Sequence, residues 1–138
     1  MSDQERYGTR SLLYSAWHRP DRMQRFVDAR TAQSMAMIDI DGCEFDKATG
    51  APLVLVETAR DVGQGHKNYR VTRALAMRAG IPAIVVLFQP NADETDIDGF
   101  RVRLVAPTVE STWTRMAPDE FARYLLALRE QALARGAT

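Results

Sequence analysis

The chain has 138 residues, with 18 Lys+Arg against 18 Asp+Glu. That zero balance excludes a generally basic, histone-like binder and an acidic mimic of nucleic acid. The 46% apolar and 26% charged content is that of an ordinary globular chain, and the length suits one domain, residues 1–138; a lone Cys43 excludes an intrachain disulfide and a CxxC metal site.

In chain order, Leu12, Leu13, Tyr14 and Trp17 among basic residues predict a short helix that docks on the body. The start MSDQERYGTR lacks an apolar signal region and reads as a mature cytoplasmic N-terminus. No stretch of the chain nears the roughly 18 apolar residues of a membrane span. Pro20 opens a helix over about 20–32 on the spacing of Met23, Phe26 and Val27. SMAMIDID then alternates: Met35, Met37, Asp39 and Asp41 share one face of a predicted strand, and Ala36, Ile38 and Ile40 share the other. Gly42 bends or bulges it before Cys43-Glu44-Phe45. DKATGAP is a turn, and LVLVE is a buried strand, giving an antiparallel hairpin. RDVGQG breaks the pattern. A helix is expected over about 66–79, with Tyr69, Val71, Ala74, Leu75 and Met77 available for burial and Gly80 as its stop. AIVVLF is another buried strand. A polar loop with four acids follows, then FRVRLVA alternates Phe100, Val102 and Leu104 against Arg101 and Arg103, and a short strand lies near STWTRM. Pro118 opens a last helix with the stripe Phe121, Tyr124, Leu125, Leu128 and Ala132, ended by Gly136. The order predicts an α/β domain: a central mixed β-sheet flanked by helices.

The sharpest chemical feature is Asp39 and Asp41 on one strand and Glu57 at the end of the next. Three carboxylates at adjacent strand ends repel one another unless a cation or an Arg lies between them. A hard divalent ion with oxygen ligands resolves the conflict, and Mg²⁺ is the default choice. The alternative is that Asp39 or Asp41 caps the turn at Gly42 or pairs with an Arg.

The stretch MIDIDGCEFDKATGAPLVLVETA, followed by GHKNYRVTRALAMRAGIPAIVVLF, resembles the core of the PD-(D/E)XK nuclease superfamily over about residues 20–88. The whole chain is also similar to small proteins of actinobacterial phages and their hosts, through YSAWHR near the start and ETA after the Glu. The resemblance implies a restriction-endonuclease-like core, with residues 100–135 as a C-terminal strand and helix extension. It implies DNA as partner and Mg²⁺ or Mn²⁺ as cofactor, held by Asp41 with Asp39, by Glu57 and by the carbonyl of Thr58. The ion would lower the pKa of bound water and polarise the scissile phosphate. A homodimer is a further implication, because one site cuts one strand.

One departure matters. The family pattern puts a Lys two residues after the Glu, where it stabilises the attacking water and the developing charge; here that slot is Ala59. The superfamily lets this Lys migrate to the neighbouring helix, and Lys67 lies ten residues after Glu57. Only Lys47 and Lys67 are lysines among the 18 basic residues, a bias that fits a GC-rich genome and singles out each retained Lys. Asp41, Glu57 and Lys67 are therefore the expected catalytic set. Gln64, His66 and Arg60 are weaker candidates for the lysine's role, and an ordinary solvated Lys67 is the alternative.

The zero net charge also conceals basic regions. From Arg60 to Arg78 the local excess is +4, and His66, Arg70 and Arg73 are expected on one helix face that could meet phosphate. His18 and Arg19 are the N-terminal candidates for phosphate or acid–base work. Each patch also reads as a solvated surface. No GxSxG elbow, GxxxxGK[ST] or GxGxxG is present, and GQGHK is only a weak phosphate-binding hint. The leading expectation is a Mg²⁺-dependent DNA phosphodiesterase. Its rivals are an inactive nuclease fold that binds DNA or a host protein, favoured by Ala59, and a dimeric structural or regulatory protein.

Overall fold

Two glycine- and proline-punctuated runs, LVLVE and AIVVLF, are β-branched and apolar enough to need burial on both faces, and they become the neighbouring central strands of a five-stranded sheet. The computed structural model describes residues 12–136. Its contacts divide at Asp39/Ile40 into two compact units, Met1–Asp39 and Ile40–Thr138. The division falls inside the stretch 20–88 that carries the nuclease resemblance.

In the N-terminal unit, α1 is Leu12–Trp17, α2 Pro20–Met23 and α3 Ala29–Ser34. The single helix expected over 20–32 is thus two. Asp28 takes an extended backbone, and its carboxylate accepts from Thr31 N at 2.8 Å and Thr31 Oγ1 at 2.8 Å. An N-cap of this strength starts a new helix rather than continuing an old one. The unit buries only Met23 and Ala32 among its described apolar residues, and Leu13, Tyr14, Phe26, Met37 and Ile38 stay exposed.

The second unit holds β1 (Gly42–Phe45), β2 (Pro52–Arg60), α4 (Arg70–Ala79), β3 (Ala83–Pro90), β4 (Ile97–Ala106), β5 (Thr114–Met116) and α5 (Pro118–Gly136). The sheet order is β1-β2-β3-β4-β5, with β2 and β3 parallel and the other pairs antiparallel. The expected α/β class with a mixed sheet and flanking helices is observed, as is the β1–β2 hairpin. The strand expected over SMAMIDID is not. Residues 35–41 have no regular structure, and pairing begins only at Gly42, opposite Val56. Alternation alone cannot make a strand; a partner must take its backbone groups.

Helix α4 separates the parallel strands and lies on one face of the sheet, where Leu55, Ala76, Val85 and Val105 pack together with part of Tyr69 and Trp113. Helix α5 covers the other face over Val54, Ile84, Val86 and Val102, through the expected stripe that includes Leu128 and Ala132. The buried side of α4 differs from expectation. Thr72 and Ala76 are buried, whereas Val71, Leu75 and Met77 are 44–48% exposed. The helix presents its small side chains to the sheet. Gly80 ends it as expected, with φ +70 and its N–H on the Ala76 carbonyl. Among the described residues, no helix is long and apolar enough to cross a membrane.

Candidate active site

The register of the first hairpin places the two carboxylates. Gly42 is opposite Val56, so Asp41 and Glu57 are the next positions outward on adjoining chains. The Thr58 N–H donates to Asp41 Oδ2 at 2.9 Å, which closes the open end of the ladder with a side chain. An extended residue directs its N–H and C=O to the same side, so the Thr58 carbonyl lies on the Asp41 side of β2.

Glu57 points to the α4 face and is 5% exposed. Thr72 of α4 donates its hydroxyl to Glu57 Oε1. The other oxygen, Oε2, faces the Lys67 amine at 3.5 Å, and that amine is 3.9 Å from Asp41 Oδ2. Burial, then the negative charge of Asp41, pushes the Glu57 carboxyl above the usual carboxylate range; the Thr72 hydrogen bond and Lys67 oppose that rise. Two carboxylates and one ammonium leave an excess of one negative charge at a half-buried point.

Lys67 is not helical. The helix expected from residue 66 begins at Arg70, because Asn68 Oδ1 takes the Arg70 N–H at 3.0 Å and Tyr69 keeps a non-helical backbone. His66 and Lys67 therefore belong to the segment between β2 and α4, and His66 does not share a helix face with Arg70 and Arg73. This segment is anchored through its first five residues. Asp61 forms a fork-to-fork pair with Arg101 of β4 (2.8 and 2.7 Å) and also accepts from Gln89 of β3 at 2.7 Å and from Gly63 N at 2.9 Å. These bonds, Arg101 first, hold the Asp61 carboxyl well below the usual carboxylate range. Arg101 also donates to the Gln64 carbonyl at 2.8 Å, and Trp113 Nε1 donates to the Gly65 carbonyl at 3.1 Å. Lys67 is thus presented by a braced loop.

Of the expected residues, the structure brings Asp41, Glu57, Thr58 and Lys67 together. Asp39 lies in the N-terminal unit, where it lines a cleft with His18, Arg19 and Gln33. Arg19 pairs with Asp21 at 3.2 Å. Arg70 is exposed, and Arg73 donates to the carbonyls of Val105 (2.6 Å) and Pro107 (3.1 Å). No three His, Cys, Asp or Glu side chains converge as a metal-holding group among the described residues; the oxygen donors at the site are two carboxylates and a backbone carbonyl.

Sequence reasoning missed Thr72 and the Asp61–Arg101 pair. Thr72 had a legible signal, a polar residue at helical spacing from Tyr69 and Ala76. Asp61 had none, because its partner is 40 residues away. Comparison with protein-family models, curated proteins and solved structures finds no match to the chain.

Proposed function

We propose that the Asp41–Glu57–Lys67 cluster is the centre of a divalent-metal-dependent phosphodiesterase that acts on DNA. The observation that carries this reading is the meeting of a lysine amine with two carboxylates, at 3.5 and 3.9 Å, from separate segments of the chain. The donor set fits a hard cation. It is made of oxygens, and its residual negative charge lies where a carboxyl resists ionisation unless a positive charge is near. Asp41, Glu57 and the Thr58 carbonyl would hold Mg²⁺ or Mn²⁺, and such an ion supplies Lewis-acid polarisation of a phosphoryl oxygen and a more acidic water.

The chain's own groups have separable tasks. Thr72 fixes one oxygen of Glu57, which leaves Oε2 facing Lys67. The Thr58 N–H fixes Asp41 in the same way. Lys67 supplies a positive charge where negative charge develops on a phosphate, the task that Ala59 cannot perform. The restriction-endonuclease-like description of the core is part of the same proposal.

The inactive, DNA- or protein-binding reading is favoured by one observation. The Lys67 amine already lies against both carboxylates and can serve as their counter-ion. Two measurements separate the readings: calorimetric Mn²⁺ titration, and incubation with plasmid and single-stranded DNA in Mg²⁺ or Mn²⁺. Micromolar-to-millimolar metal binding with cleavage that disappears in Glu57→Gln supports the phosphodiesterase. No metal binding and no cleavage of any substrate rejects it in favour of the inactive fold.

A further inference from the structure

Beside this site, on the same face of the sheet, rings and guanidinium groups form a second surface. Arg103 continues the cross-strand row that starts at Glu57 and passes through Val85. Strands about 4.8 Å apart put its backbone about 10 Å from that of Glu57. The Arg103 guanidinium carbon lies 5.7 Å from the Tyr69 ring centroid and 5.9 Å from that of Trp113. Arg101 approaches the Trp113 ring at 5.2 Å, and the His66 ring is 5.8 Å from Tyr69. Tyr69 follows Lys67 by two residues, and Trp113 is bonded to the carbonyl two residues before it. The aromatic groups therefore flank the segment that presents the lysine.

The charge on this surface is uneven. Arg101 is compensated by Asp61. Arg103 and Arg73 are held by neutral acceptors: Arg103 Nε by the Glu110 carbonyl at 2.5 Å, and Arg73 Nη1 by the Val105 and Pro107 carbonyls. Neither forms an ion pair with a carboxylate among the described residues. Two partly buried cations are thus fixed in place with their charge unspent, a condition that an anionic ligand satisfies.

We propose that this surface binds single-stranded nucleic acid, with an unpaired base on the Tyr69–Arg103–Trp113 cluster and neighbouring phosphates toward Arg73 and Arg103. Rings and guanidinium planes accept any base through its π-face, and only an unpaired base offers one. The inference rests on the phosphodiesterase reading only for the site to which the strand is delivered. Binding itself needs no metal.

The test uses the full chain carrying Trp17→Phe, so that Trp113 alone reports emission, in EDTA. It is titrated with a single-stranded oligonucleotide of about 12 nucleotides, the corresponding duplex, and the same single strand with abasic central positions. The expected result is quenching of Trp113 and binding of the intact single strand at least about tenfold tighter than of the other two. Arg103→Lys keeps the charge but not the plane, and Tyr69→Leu keeps the packing but not the π-face; each is expected to weaken single-strand binding about tenfold. Equal affinity for duplex and single strand, unchanged Trp113 emission, or undiminished binding by Tyr69→Leu overturns the proposal, and Tyr69→Leu decides it alone if Arg103→Lys does not fold. Cleavage is scored separately with metal. Single-strand binding without cleavage rejects the phosphodiesterase and keeps this surface, and cleavage with duplex-preferring binding does the reverse.

Discussion

At the residue scale, Glu57 carries opposed demands. Its carboxylate is buried beside Asp41, so its ionised form is costly in the folded chain, yet the metal-ligand role proposed for it requires ionisation. A carboxyl raised above its unfolded value adds stability that is complete below the usual Glu range, near pH ~4.3, and is lost as pH rises through the folded value. Glu57→Gln, which keeps an oxygen for the Thr72 hydroxyl, should therefore raise Tm at pH 7–8 in EDTA while abolishing metal-dependent cleavage; paired melting and nuclease assays check both. A drop in Tm would mean that burial is not the dominant influence on this carboxyl. Lys67→Ala should lower cleavage by about 10²–10³-fold, the usual effect of losing one charge-stabilising group. Adding Ala59→Lys to that variant should restore part of the rate, because Ala59 shares the Glu57 face of β2. A rate left unchanged by Lys67→Ala would remove the lysine from the mechanism.

At the element scale, the segment from Asp61 to Tyr69 is held by tertiary bonds rather than by helical structure. Arg101 and Asp61 are both largely buried, with side chains 12% and 8% exposed, so removal of one partner leaves the other charge poorly compensated. Asp61→Asn should cost about 1.5–3 kcal/mol at pH 7 in urea unfolding, the usual worth of hydrogen bonds to a charged group. The Asp61 carboxyl is depressed in the folded chain. Its contribution is thus present above the usual Asp value near pH ~3.9 and is lost as pH falls through the lower, folded value. The stability gap between wild type and Asp61→Asn should accordingly narrow below about pH 4; a constant gap from pH 3 to 7 would contradict the assignment. The same variant should reduce cleavage, since it releases the brace on Lys67 without touching the cluster.

At the scale of the whole molecule, the burial is uneven. The second unit contains the sheet and both of its packed faces, whereas the first buries two apolar side chains among its described residues. Local stability follows buried apolar contact. Amide exchange should therefore be fast across residues 12–39 and slowest in β2 and β3. Ile84→Ala, at the fully buried centre of the α5 face, should cost about 2–5 kcal/mol in global unfolding. Protection in residues 12–39 that matches β3 would show that the first unit is stabilised by more than its own packing.

The sequence by itself determined the elements whose periodicity and punctuation agree. LVLVE and AIVVLF suited buried strands, FRVRLVA had one apolar face, and the last helix carried its stripe and both end signals. It also made Asp39, Asp41 and Glu57 stand out, since buried acids demand a counter-charge, and the rarity of lysine marked Lys67; only the family resemblance joined that lysine to the acids. Only the tertiary structure decided the rest. SMAMIDID has the alternation of a strand but no neighbour until Gly42, so its backbone stays unpaired. Helix α4 could have buried Val71, Leu75 and Met77; it turned Thr72 and Ala76 inward, and thereby put a hydroxyl on Glu57. Lys67 reaches the carboxylates because Arg101 and Trp113, both more than 30 residues away in sequence, hold its loop. Periodicity reports what a segment can bury, whereas partners distant along the chain select which of those options is used.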